Sequence, residues 1–93
     1  MKEKNENSPY KIGKKYIIRT ITMIYTGKLE KIFEHELIIS SAAWIAETER
    51  WTDSLKTGKF KEIEPYPDGN VVIGRDAILD AMIVDWELPR EQK

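Results

Sequence analysis

A single glycine inside an apolar–polar alternation constrains this chain most. The stretch from Tyr25 to Ser41 reads YTGKLEKIFEHELIISS. Tyr25, Gly27, Leu29 and Phe33 share one parity, while Lys28, Glu30 and Glu34 share the other. A period of two marks a strand with one covered and one solvated face. Glycine in mid-strand costs stability unless the backbone must bend or approach a neighbour closely. Small barrels need such bends to close. Glu34-His35-Glu36 supplies a charged turn, and Leu37-Ile38-Ile39 resumes as a strand. The stretch therefore reads as two bent antiparallel strands.

At 93 residues the chain is expected to form one domain. A domain of this size hides only about 60–65% of the surface its unfolded chain exposes, so self-association would help it. Residues 1–9 are polar, end in Ser8-Pro9 and read as a disordered N-terminal arm. The domain proper is expected over residues 10–86, with 87–93 a loose C-terminal tail.

Within the domain, YIIRTITMIY (Tyr16–Tyr25) is rich in β-branched and aromatic residues and lacks glycine and proline, which predicts strand. Both of its parities carry apolar residues, so it is expected to be partly covered on both faces. Residues 40–58 allow two readings. One is a helix from Ser41 to Gly58 with Trp44, Thr48, Trp51 and Leu55 on one stripe. The other, which is preferred, carries the strand through Trp44-Ile45. A short helix near 49–57 then follows, capped by Thr48 and stopped at Gly58. Phe60–Tyr66 is an extended piece that Pro65 and Pro67 keep from being a central strand. Pro67-Asp68-Gly69-Asn70 is a turn. Val71-Val72-Ile73 is a strand, Gly74-Arg75-Asp76 a tight break, and Ala77–Val84 a closing strand.

In this order the features resemble the Sm-like (LSm) family. The first Sm motif matches Tyr25-Thr26-Gly27-Lys28-Leu29, the Glu34-His35-Glu36 turn, and the strand Leu37 to Ala42. The second matches Val71-Val72-Ile73, Gly74-Arg75-Asp76 and Ala77-Ile78-Leu79. The chain also looks like Sm-like proteins of bacteriophage origin. The resemblance implies an all-β fold with one short helix, an Sm-like / SH3-like five-stranded, strongly bent antiparallel barrel. It implies homo-oligomeric rings, built by pairing the fourth strand of one copy with the fifth of the next. It also implies single-stranded RNA held by the two motif turns, here Glu34 and His35 with Gly74, Arg75 and Asp76. The first turn lacks the Asn usual in the family, and Gly74-Arg75 stand in reversed order.

The ring also has support from the residues themselves. Ala77–Val84 is long and apolar, with Asp80 its only charge, and a bare edge of that kind invites pairing. Val71, Ile73, Ile78, Met82 and Val84 are the interface candidates. Lys56, Lys59 and Lys61 form the densest basic cluster, which reads either as a solvated helix end or as phosphate contacts. His35 is the only histidine and reads as a solvated turn residue, a stacking group or a pH sensor. Trp44, Trp51 and Trp86 read as packing residues or base-stacking platforms. Arg75-Asp76 reads as a local ion pair or as an arginine offered to an anion.

Several classes are set aside. Cysteine is absent, which removes disulfides, thiolate chemistry and the commonest zinc sites. Gly13-Lys14, Gly27-Lys28 and Gly58-Lys59 each lack the upstream glycine of a phosphate-cradling loop. No nucleophile elbow is present, so an enzyme is not expected, nor is a cofactor or metal. A net charge of −1 gives no global attraction to nucleic acid or anionic membrane. The longest apolar runs, such as Ala42–Ala46, fall far short of the roughly 20 residues that span a bilayer. The expected location is the cytoplasm, that of a host cell if the chain is phage-encoded. Three functions are open: a ring-forming binder of single-stranded RNA or other nucleic acid, a structural or protein-interaction module, and an inter-subunit binder of a nucleotide-like ligand.

Overall fold

The computed structural model describes residues 8–93. Residues 1–7 of the expected arm lie outside the described residues. Six strands and one short α-helix follow in the order β1 (Lys15–Thr20), β2 (Ile24–Ile32), β3 (Glu36–Thr48), α1 (Trp51–Thr57), β4 (Phe60–Pro65), β5 (Asn70–Gly74) and β6 (Ile78–Val84). A 3₁₀ turn over Arg75–Ala77 joins β5 to β6. The class is all-β, and every strand pairing is antiparallel.

β3 is the axis of the fold. One of its edges pairs with β2 from Leu37 to Ile45. The other is shared: its first half, Glu36–Ser40, pairs with β5, and its second half, Ala43–Thr48, pairs with β4. The sheet runs β4-β3-β2-β1-β6, with β5 beside β3. No pairing joins β5 to β6 among the described residues, so the sheet stays open, and it has six strands where five were expected. The sixth is β4. It lies at the edge of the sheet; Pro65 ends it and Pro67 lies beyond it, so neither interrupts its pairing with β3.

β3 changes partners at a bulge. Thr26 lies opposite Ala43 and Lys28 opposite Ser40, so Gly27 faces the two residues Ser41 and Ala42. Ser41 takes a φ of 48° there. A Cβ placed on Gly27 would lie 2.8 Å from Ile39 Cδ1 and 3.0 Å from Ile39 Cβ. Close approach of β2 to β3 is thus why glycine stands there. A second register shift, between Leu29 and Lys31, reverses the parity of the end of β2. Ile32 is consequently buried and Phe33 only half-buried, although the alternation placed Phe33 inward.

Two apolar clusters lie on opposite faces of the sheet. Tyr16, Ile18, Leu29, Ile32, Leu37, Ile39, Ala42 and Ile73 form the inner one. Ile17, Ala43, Ile45, Phe60, Ile63 and Val84 form the outer one, covered by Trp51, Leu55 and Trp86. This explains why Tyr16, Ile17 and Ile18 are all buried in succession. The expected single strand Tyr16–Tyr25 is split by a hairpin turn. Thr20 N donates to Met23 O at 2.7 Å, and Met23 N donates back to Thr20 Oγ1 at 3.0 Å.

α1 begins two residues later than expected and is not capped by Thr48. Arg50 precedes it and supplies no side-chain cap. Buried Ser54 ties the segment instead: its Oγ accepts from Glu49 N at 3.0 Å and donates to Lys59 O at 2.8 Å. Gly58 ends the helix in the left-handed region at φ 72°, under the Trp86 ring. The segment after Trp86, expected to be loose, is docked. Ile63 and Lys93 exchange backbone hydrogen bonds at 3.1 and 3.0 Å. Arg90 donates to Ala42 O and Tyr66 O, both at 3.0 Å.

Candidate nucleic-acid interface

The register of β3 with β5 brings the two motif turns together. Glu36 opposes Gly74, and Arg75 N donates to His35 O at 2.9 Å. Glu34, His35, Gly74, Arg75 and Asp76 therefore share one end of the sheet. Glu34, His35, Gly74 and Asp76 are exposed, and Arg75 is half-buried. His35 Nε2 stands 3.6 Å from Glu34 Oε2.

Arg75 is held from two sides. Its Nη1 donates to Phe33 O at 2.8 Å, and its guanidinium carbon lies 5.3 Å from the centre of the Tyr10 ring. The expected ion pair with Asp76 gives way to these contacts. Tyr10 itself packs edge-on against Tyr16 at 6.0 Å, and Lys11 N donates to Tyr16 Oη at 2.9 Å. Burial raises the Tyr10 pKa, partly offset by the Arg75 charge. Neither Tyr10 nor the Phe33 carbonyl stood out in the sequence. Tyr10 lies beyond both motifs, and a backbone carbonyl has no sequence signature.

Around Arg75, the turns and the first residue of β3 carry three carboxylates: Glu34, Glu36 and Asp76. One Glu36 oxygen is buried and has no hydrogen-bond partner among the described residues. The local charge is therefore acidic, which disfavours close packing of phosphates but supplies several hydrogen-bond acceptors.

The three lysines do not join this site. Lys61 stands on β4 between the pairs Phe60–Thr48 and Glu62–Glu47, at the opposite end of β3 from the turns. Lys59 borders a cleft of about 380 Å³ between β4 and the segment Glu87–Lys93, and Lys56 lies on α1 facing the Met82–Asp85 end of β6. All three are exposed.

Of the interface candidates, Ile73 and Val84 are buried inside the protomer, and Val71 and Ile78 pack partly buried against the inner cluster. Only Met82 is exposed. The other large apolar side chains left in solvent on β5 and β6 are Val72, Leu79 and Ile83. Trp51 and Trp86 are engaged. Trp51 lies 5.4 Å from the Arg19 guanidinium, and Trp86 donates from Nε1 to Leu55 O at 2.9 Å while meeting Phe60 edge-on at 5.8 Å. Among the described residues no group of three or more His, Asp or Glu side chains is placed to hold a metal ion, and no helix is long and apolar enough to cross a membrane. No protein-family model, curated protein or solved structure matches the chain.

Proposed function

We propose that the protein is a non-enzymatic, ring-forming binding module of Sm-like type. In this reading it holds single-stranded RNA at the paired turns Glu34-His35 and Gly74-Arg75-Asp76. The observation that carries it is the 2.9 Å bond from Arg75 N to His35 O, which unites two turns 40 residues apart in the chain. A bent sheet that brings its second and fifth connections together presents one compound loop surface, and in a ring each copy would add one such surface to a common face. Single-stranded nucleic acid suits a site of this kind, because unstacked bases can be held one per copy.

The test is fluorescence anisotropy with a labelled single-stranded oligoribonucleotide across a salt series. Because three carboxylates surround Arg75, raising salt should screen their repulsion of phosphate and not weaken binding steeply. Arg75→Ala should weaken binding by about tenfold, measured below the melting temperature of the variant, which also loses the contacts with Phe33 O and Tyr10. Undiminished affinity of Arg75→Ala would remove Arg75 from the site.

A structural or protein-interaction role is favoured by a different observation, the exposed Leu79, Met82 and Ile83 along β6. Under that role the module would associate through β6 and show no affinity for the oligonucleotide.

A further inference from the structure

We infer that the outer edge of β4 is a strand-addition site for an extended peptide segment bearing an arginine, and that the chain's own residues 87–93 hold this site in the free protein. The site lies along the half of β3 away from the paired turns, so it stands whether or not those turns bind nucleic acid.

The seat for the arginine comes from the way β3 changes partners. Its pairing with β5 ends at Ser40 and its pairing with β4 begins at Ala43, so Ala42 falls in the gap. Tyr66 lies one residue beyond the end of β4 and donates from N to Ala42 O at 2.8 Å. The carbonyls of Ala42 and Tyr66 then take one guanidinium between them. Arg90 Nη1 donates to the first and Nη2 to the second, both at 3.0 Å. Carbonyls only accept, and arginine donates through a rigid planar fork. The pair of carbonyls therefore reads arginine, and a lysine spans it poorly.

Three residues on, the backbone joins in. Ile63 and Lys93 exchange hydrogen bonds at 3.1 and 3.0 Å, as an antiparallel pair does. Added chains complete strand edges in this manner. Glu62 and Glu64 are exposed on β4, and Gln92 Nε2 donates to Glu64 Oε1 at 3.3 Å. Acids along the edge suit a basic partner.

The resident segment uses this edge incompletely. Among the described residues, Ile63 is the one β4 residue whose backbone it pairs with. A cleft of about 380 Å³, bordered by Phe60, Ile63, Leu88 and Pro89, remains between the segment and β4. Residues 90–93 are exposed. So few exposed bonds hold mainly through the tether, which supplies a local concentration on the order of millimolar. A partner that keeps the arginine and pairs with more of β4 displaces the segment.

The experiment is an NMR titration of the ¹⁵N-labelled full chain with a synthetic peptide of residues 87–93. Wild type should bind it weakly, because its own segment competes. Arg90→Ala should bind it about tenfold more tightly, the scale of a lost charge-assisted hydrogen bond. The Ile63 and Tyr66 amide signals displaced in that variant should return to their wild-type positions as peptide is added. Lys93→Pro, which removes one backbone donor and leaves Arg90 in place, should act in the same direction to a smaller extent. The Arg90→Lys form of the peptide should not restore the signals. Equal affinity of wild type and a folded Arg90→Ala overturns the inference, as does a peptide that leaves Ile63 unmoved in both variants. Ile63 shifts that follow protein concentration rather than added peptide give the edge to a second copy and overturn the peptide assignment.

Discussion

Two residues show how local physics is written into this chain, and each gives an expected outcome. Gly27 is required by space, because a Cβ there would press on Ile39 at 2.8 Å. Ile39 is fully buried, so it has no room to yield. Gly27→Val should therefore destabilise the fold by about 1–3 kcal/mol, the usual cost of overpacking a core. In a domain of this size that lowers the melting temperature by roughly 4–8 °C per kcal/mol, measurable by thermal denaturation. Asp80 shows the electrostatic counterpart. Arg19 donates to it from Nε at 2.9 Å and from its terminal nitrogen as well. That hydrogen bonding holds the Asp80 pKa below the ordinary 3.8. A carboxyl depressed on folding stabilises the protein above its unfolded pKa, and that stabilisation fades as pH falls through the folded value. Both side chains are about half exposed, so solvent screening keeps the effect small. Arg19→Ala should lower the urea midpoint slightly at neutral pH, and the difference from wild type should shrink as pH falls and Asp80 takes up its proton. A difference that persists at low pH would assign the effect to Arg19 packing on Trp51 rather than to the charge pair.

At the scale of elements, α1 gives the sharpest test. Thr48 looked like its cap by residue type, yet the side chain that ties the segment is Ser54, from inside the helix. Ser54→Ala removes two part-buried hydrogen bonds, to the Glu49 N–H and the Lys59 carbonyl, a loss of about 1–3 kcal/mol for the pair. Thr48→Ala should cost much less, and chemical denaturation of the two variants distinguishes the roles. The strands were legible where parity held: Gly27 and the turn at Glu34-His35 follow from alternation and turn residues. Alternation leaves residues 40–58 open between strand and helix, and it is the need of β2 for a long partner that favours the strand through Ile45. Legibility ended where pairing, not composition, decides. Ile21 and Thr22 form a turn although both are β-branched, because Thr20 closes it with its own hydroxyl. Phe33 loses its inward place to Ile32 through a register shift with no residue signal. The site behaved in the same way. The residues around Arg75 could be named through the resemblance to the Sm-like motifs, while Tyr10 could not, since its contact with Arg75 spans the fold.

At the scale of the whole molecule, the open sheet and its two-sided core bear on assembly. Most small sheets bury one face. Here α1, Trp51, Leu55 and Trp86 cover the outer face over Ile17, Ile45, Ile63 and Val84, so the protomer holds its core without a neighbour. What it leaves uncovered lies at the edges. Among the described residues β5 pairs only with β3 and β6 only with β1, and Val72, Leu79, Met82 and Ile83 are exposed along them. Unpaired edges with apolar side chains are sites of strand addition. Pairing β5 of one copy with β6 of the next would satisfy both edges, and repetition of such a head-to-tail contact closes a ring when its rotation divides a full turn. The expected result by native mass spectrometry is a closed oligomer. Leu79→Glu, at a position 64% exposed in the protomer, should leave a folded monomer, because the charge meets water when the copy is alone and an apolar neighbour when it is paired. Ile73→Glu should instead unfold the chain, since Ile73 belongs to the inner cluster. A Leu79→Glu protein that keeps its oligomeric state would move the contact off β6, and a wild-type monomer at micromolar concentration would end the ring proposal while leaving the two-cluster fold intact.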